Sequence, residues 1–349
     1  MSTFPEPIPN DPEESPSGEP SAVPKSDPLG PENTPEPPAE WTGEPEEPNP
    51  QPGVLAATRE EIYLPPLFVT YTQPEAPPRR DVRIPHLGNL GLLILLGIFG
   101  WLGAGMLLLF ALRIHLWGIT SLTVASTDFR YTLASQAAQY LITFACCLAV
   151  FPIVWHQPFF SGIHWRGSFA IQRTSRLVSA AVLCFFVAMI NGILMPGPTN
   201  APIDQLFQAP GAAWTMFAFG VTLAPFFEEM AFRGFLLPSL CTAWDWTMEH
   251  VSGAPRRPLD EDGGPQWSRP AMIVASILTS VPFAMMHGAQ TGWSLGPFLL
   301  LIFVSLVLCW VRLRMRSLAA STMVHACYNF MLFSFMVLGT GGFKHLDKM

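Results

Sequence analysis

Three charges, Glu228, Glu229 and Arg233, stand inside the strongly apolar stretch Glu228-Glu229-Met230-Ala231-Phe232-Arg233. A charge at the centre of a bilayer costs about 2.5–3.5 kcal/mol on insertion scales, so charges kept there usually do something. Glu229 and Arg233 are four residues apart with the acid N-terminal, which places them on one helix face in the favoured pairing order. Paired, they would neutralise each other. Glu228 is rotated by about 100° on an ideal helix and cannot easily share that arginine. It needs another partner or a proton. Glu228 is therefore the candidate for reaction chemistry, and Glu229 for structure. The competing reading is a charged cluster at a loop edge on the membrane surface.

Two further polar sets follow on later apolar segments: His287, preceded by Phe283, and His325 with Asn329. His325 and Asn329 are four apart and point the same way from a helix. Such a pair supplies hydrogen-bond donors that can hold a developing oxyanion, and equally can tie neighbouring helices together. His287 alone could be an ordinary packing residue. Together the sets are more informative. A carboxylate beside a histidine can activate water, and nearby donors can hold the tetrahedral oxygen. These are parts for amide hydrolysis without a serine or cysteine nucleophile. Buried Glu and His also serve proton relays in transporters, but the sequence shows no inverted pair of broken helices of the kind transporters use.

Such residues need a membrane scaffold, and the rest of the chain describes one. Half of its 349 residues are hydrophobic and 13% are charged, against about 25% in soluble chains. The apolar residues form long runs. Seven spans are expected: about Leu87–Leu112, Thr132–Trp155, Leu177–Met195, Gly211–Leu237, Pro270–Gly288, Gly296–Val311 and Leu318–Leu338. Each is near the ~20 residues that cross the hydrocarbon as a helix, and none alternates as a strand would. The expected fold is an all-α, multi-pass transmembrane helical bundle of about seven spans. Its fourth span is the least certain in form, because residues 211–246 suit a broken or unusually long helix as well.

Arginines mark alternate connections: Arg79, Arg80 and Arg83; Arg166, Arg173 and Arg176; Arg256, Arg257 and Arg269; Arg312, Arg314 and Arg316. The positive-inside rule puts these loops and the N-terminus in the cytoplasm. Residues 251–268 are expected to form a flexible cytoplasmic insertion. Seven tryptophans near span ends, Trp155 and Trp244 among them, are expected as interfacial anchors. The six cysteines have no metal-ligand spacing and are expected as small buried side chains.

Residues 1–52 are of another kind. Twelve acids face one base, Lys25, and there are 16 prolines. Such a segment cannot bury enough apolar surface to offset its chain entropy, so a disordered Pro/Glu-rich tail is expected. It does not resemble a secretory signal. The expected division is a tail and linker over 1–84 and a helical membrane domain over 85–349.

Glu-Glu-x-x-x-Arg at 228–233, Phe-x-x-x-His at 283–287 and His-x-x-x-Asn at 325–329, with Gly234 after the arginine, resemble the three ordered motifs of the CPBP intramembrane proteases. That family includes the CAAX prenyl endopeptidases and bacterial relatives linked to bacteriocin processing and self-immunity. The resemblance covers about residues 211–338. It implies an all-helical membrane endopeptidase in which Glu228 and His287 activate water and His325 and Asn329 form the oxyanion hole. Glu229, Arg233 and Phe283 would support them. The family has been described both as metalloproteases and as metal-independent glutamic proteases. There is no His-Glu-x-x-His zinc helix here, though Glu228, His287 and His325 could make a zinc triad. The metal-free reading is preferred, with no cofactor. The partners implied are membrane lipid and a protein or peptide substrate, lipidated or not; no nucleic acid is expected. The location implied is a bacterial-type plasma membrane. The alternative within this fold is a non-catalytic scaffold or self-immunity protein.

One difficulty follows from the spans. His287 lies 18 residues past Arg269 and His325 only nine past Arg316, about 27 and 13 Å of helix respectively. Their depths agree only if the fifth span starts below the membrane, tilts, or kinks at Pro282.

Overall fold

A computed structural model of the protein describes residues 83–196, 211–260 and 264–343. The tail expected over 1–84 lies outside them except for its last two residues. Arg83 is already buried and bonds Glu249 at 2.6 Å.

The described residues form helices and no strand; Leu259 and Pro265 make one isolated antiparallel bridge. In chain order the longer helices are α1 (Leu87–Arg113), α3 (Phe129–Trp155) and α6 (Thr174–Leu194). Between them lie the short α2 (Leu122–Thr127), α4 (Phe159–Gly162) and α5 (Gly167–Gln172). The second half holds α7 (Ala212–Val221), α8 (Leu223–Glu229), a π-helical turn at Met230–Leu236, α9 (Leu237–Val251), α10 (Arg269–Met286), α11 (Leu295–Met315) and α12 (Leu318–Gly339). Six of these, α1, α3, α6, α10, α11 and α12, are long and apolar enough to cross a membrane. The protein is a multi-pass membrane protein.

The seven expected spans thus become six unbroken helices and one segmented path, residues 212–251. The breaks have local causes. Thr222, a turn residue between α7 and α8, is distorted from ideal helical angles, with φ −112° and ψ −74°. Pro225 and Pro238 each remove an amide from the backbone ladder. Pro238 sits in the first turn of α9, where its missing N–H is tolerated. The π-helical turn lies between Glu229 and this proline, and such turns often accompany functional sites.

Helix starts are fixed by side chains. His86 accepts from the Gly88 amide while Asn89 accepts from the His86 amide. Asp128 caps α3, Ser268 caps α10 and Ser317 caps α12.

Three buried clusters hold the bundle together. One joins α6, α11 and α12 around Leu177, Leu308 and Val324. A second joins α1, α3 and α4 to the π-helical turn through Phe151, Phe159 and Phe235. The third joins α9, α10 and α11 through Leu237, Ala275 and Cys309. Large apolar side chains such as Ile94, Phe99 and Phe110 on α1 face outward, as lipid-facing residues do.

Some expectations are corrected. Trp155 is no interfacial anchor, since its ring packs on Phe151 at 4.5 Å and Phe235 at 5.7 Å. Arg312 is not a loop charge: α11 extends to Met315, and Arg312 is 2% exposed. The described parts of the 251–268 connection are tethered. Arg316 bonds Asp260, Trp267 Nε1 donates to Thr242 Oγ1 at 3.2 Å, and the Ser268 amide donates to Asp245 at 2.9 Å. The cysteines are free; four are buried, as expected, and Cys146 and Cys327 are only partly buried.

Candidate active site

Glu228 and Glu229 are the last residues of α8, and they part there. Glu229 is fully buried. Its Oε1 accepts from Arg233 Nη1 at 2.8 Å and from His325 Nδ1 at 3.2 Å. Arg233, equally buried, also donates through Nη2 to Ser305 Oγ at 2.6 Å and to the Ser305 carbonyl at 3.1 Å. The ion pair expected from their spacing forms across the first turn of the π helix.

Phe283 on α10 lies at the centre of this arrangement. The Arg233 guanidinium stands 4.5 Å from its ring centroid, within cation–π range. The His287 ring packs 4.9 Å and the His325 ring 5.9 Å from the same ring. The Phe-x-x-x-His spacing thus places one aromatic face against a cation and both histidines.

His287 terminates α10. Its backbone amide turns to the Ala284 carbonyl, and its Nδ1 lies 2.9 Å from the Phe283 carbonyl. A carbonyl only accepts, so Nδ1 carries the proton and Nε2 faces the other way. His325 is arranged similarly, with Nδ1 on the Glu229 carboxylate. Both Nε2 atoms then converge on Glu228: each lies 3.8 Å from Glu228 Oε2. The side chains keep 12% (Glu228), 18% (His287) and 5% (His325) exposure, so the trio is enclosed but reachable.

This convergence removes the depth difficulty. The histidines lie 18 and seven residues into or past their helix starts, a difference of about 16 Å at 1.5 Å per residue. The two imidazoles nonetheless reach one carboxylate oxygen, so equal residue counts from the helix starts are not required.

Asn329 has a contact of its own. Its Nδ2 donates to the Gly220 carbonyl at 2.8 Å, at the break between α7 and α8. This fastens α12 to the segment that carries the glutamates. The amide has a second N–H to offer.

Two contributors were missed in the sequence. Ser305 looked like an ordinary small residue in an apolar span. Arg312 looked like one of three loop arginines. It lies instead under the site, donating from Nε to the Arg233 carbonyl at 3.2 Å. Its only sequence signal was its position at the apolar end of the run, four residues before Arg316.

Residues 210–331 match the family model described as type II CAAX prenyl endopeptidase, Rce1-like. That segment is similar to the CAAX prenyl endopeptidases. It contains all of Glu228, Glu229, Arg233, Phe283, His287, His325 and Asn329, and it excludes α1 to α6. No curated protein and no solved structure matches the chain. This match, together with six helices long and apolar enough to cross a membrane, supports an intramembrane protease in general.

Proposed function

We propose that the protein hydrolyses a peptide bond of a membrane-associated protein or peptide, with Glu228 as the base. The observation that supports this reading is the approach of His287 Nε2 and His325 Nε2 to the same oxygen of Glu228, each at 3.8 Å. That separation exceeds a direct hydrogen bond. It suits three groups that share a small third molecule.

In this mechanism Glu228 takes a proton from water, with His287 orienting the water through Nε2. The hydroxide adds to the scissile carbonyl carbon. The oxyanion is held by His325, which donates from Nε2 when protonated, and by the second amide N–H of Asn329. The C–N bond then breaks, and the proton returns from Glu228 to the leaving amine. Glu229, paired with Arg233, orients His325 through Nδ1 and favours its imidazolium form, and neither Glu229 nor Arg233 touches a reacting atom.

Zinc is the alternative carried by the family resemblance, with Glu228, His287 and His325 as its donors. Tetrahedral zinc with bonds of about 2.0–2.1 Å places adjacent donors about 3.4 Å apart. The carboxylate–imidazole pairs are wider, at 3.8 Å. Among the described residues no group of three or more His, Cys, Asp or Glu has metal-holding geometry. The wider spacing supports the metal-free reading, and no step is assigned to zinc.

The positive-inside rule gives the orientation we propose, with the N-terminus and Arg-rich loops in the cytoplasm, and the family resemblance supports a plasma-membrane location. The test uses the purified full-length protein and a fluorogenic CAAX peptide, farnesylated or unmodified. Cleavage that survives chelation of zinc, and is lost in Glu228→Gln, is expected. Activity abolished by chelation and restored by zinc would replace the glutamic mechanism with a metallo one. Cleavage of neither peptide by a folded protein would reject a CAAX substrate.

A further inference from the structure

At the opposite end of α10 from His287 lies a cavity of about 690 Å³ between α10 and α11, within the size range of ligand pockets. It is amphipathic along its length. α10 contributes Arg269, Ile273 and Ile277, and α11 contributes Arg314, Trp310 and Leu306. On each helix these residues recur at intervals of four, so they line one face. The helices run in opposite directions, joined by the short turn before Leu295. The arginine at the start of one therefore stands beside the arginine at the end of the other. Below them the groove continues over two helical turns, about 12 Å. Its apolar wall is open: Ile273 is 62% and Trp310 58% exposed.

Among the described residues, the mouth carries excess positive charge. Arg257 and Arg316 also line it. Arg316 is paired with Asp260, Glu249 is paired with Arg83, and Asp245 accepts from the Ser268 amide. The described acids nearby thus have partners of their own. Arg257, Arg269 and Arg314 remain exposed at the rim. Trp267 and Trp310 lie beside them, the side chains that favour the headgroup level of a bilayer.

We propose that this groove binds one anionic phospholipid from the leaflet that the Arg-rich loops face. Arg269 and Arg314 take the phosphate, and an acyl chain lies along Ile273, Ile277 and Trp310. Arginine suits a phosphate because its planar fork can donate two bonds at once. The acidic N-terminal segment is complementary to the arginines as well, with its twelve acids. Its large apolar residues, Phe4, Ile8, Val23, Leu29 and Trp41, are scattered singly among prolines and acids, whereas an acyl chain is continuously apolar along the lower half, which is why the lipid is assigned to the groove.

Full-length protein in a neutral detergent can be titrated with phosphatidylglycerol carrying brominated acyl chains, and with brominated phosphatidylcholine as the neutral match. Bromine quenches tryptophan on contact, and Trp267 and Trp310 report the groove. Saturable quenching is expected, at least ~10-fold tighter for phosphatidylglycerol. The double variant Arg269→Gln/Arg314→Gln should weaken it by about 10- to 30-fold, from roughly 1 kcal/mol per basic residue at an anionic surface. Trp267→Phe/Trp310→Phe should remove the saturable component in a protein of wild-type melting temperature, so the proposal stays testable even where the arginine variant misfolds. Equal quenching by both lipids, or an unchanged titration in a folded arginine variant, overturns the proposal. Displacement by millimolar inorganic phosphate as effective as displacement by unlabelled lipid would make this a simple anion site. Lipid binding seen only after the acids of residues 1–52 are changed to amides would assign the groove to that segment instead.

Discussion

Glu228 and Glu229 are adjacent in sequence, and their surroundings divide their roles. Glu229 is closed in by Arg233 and His325, whereas Glu228 keeps 12% of its side-chain surface and faces two imidazoles. Glu228→Gln should leave the fold intact and reduce peptide cleavage by about 10²–10⁴-fold, the range for a lost general base. Glu229→Gln should act mainly on stability. It leaves the fully buried Arg233 without its carboxylate, a change that costs about 3–5 kcal/mol when one partner of a buried pair is removed. Thermal unfolding in detergent checks this. The double variant Glu229→Gln/Arg233→Met should melt closer to wild type than Glu229→Gln alone, because no charge is then stranded. A double variant that melts lower than either single variant would show that the pair has a role beyond mutual neutralisation.

The elements that carry these residues depend on close approach. Gly100 on α1 meets α3 so closely that an added Cβ would lie 2.9 Å from the Gln139 carbonyl and 2.1 Å from Thr143 Oγ1. Gly97, one turn earlier, has nothing within 4 Å. Gly100→Ala should therefore destabilise by about 1–3 kcal/mol through overpacking. Gly97→Ala should be neutral or slightly stabilising, since alanine is the better helix former by up to ~1 kcal/mol. Paired melting curves test the contact directly. Most of the elements were legible in the sequence. The limits expected for α1, α6 and α12 lie within about three residues of those found, because long apolar runs admit few alternatives. The segmented path over 212–251 was legible only as a suspicion, since its breaks depend on Thr222 geometry and on where the two prolines fall in the helix register. The Glu229–Arg233 pair could be read from spacing. Ser305 and Arg312 could not, because they act through tertiary contacts between helices remote in sequence.

At the scale of the whole molecule, charges outside the spans set the pH response. His164, between α4 and α5, is half-buried with Arg312, Arg166 and Arg316 around it, and Asp260 lies across Gly264. Burial first, and then the arginines, push its imidazole down from 6.5 to about 3. The unfolded chain therefore takes up this proton below about pH 6.5 while the folded chain does not. Stability should fall as the pH drops through that window, by about 2 kcal/mol between pH 6.5 and 5. His164→Leu should flatten the fall in melting temperature over that range. Glu249 behaves differently. Burial, the largest single influence, raises its carboxyl, but the bond from Arg83, the Arg257 amide and the charges of Arg83 and Arg256 together outweigh burial and hold it below its usual range. Its contribution is present above the ordinary carboxylate range and is lost only at lower pH, beneath the onset of the histidine effect.

The central claim is that Glu228 makes this membrane bundle a peptidase. The most direct measurement compares new protein termini in membranes from cells expressing wild type or Glu228→Gln at equal levels of folded protein. Termini produced by wild type and absent from Glu228→Gln are the predicted result, and they would identify the substrates. Identical termini in both, with the protein folded and its cellular phenotype retained, would contradict the account and leave a non-catalytic scaffold built on the same fold.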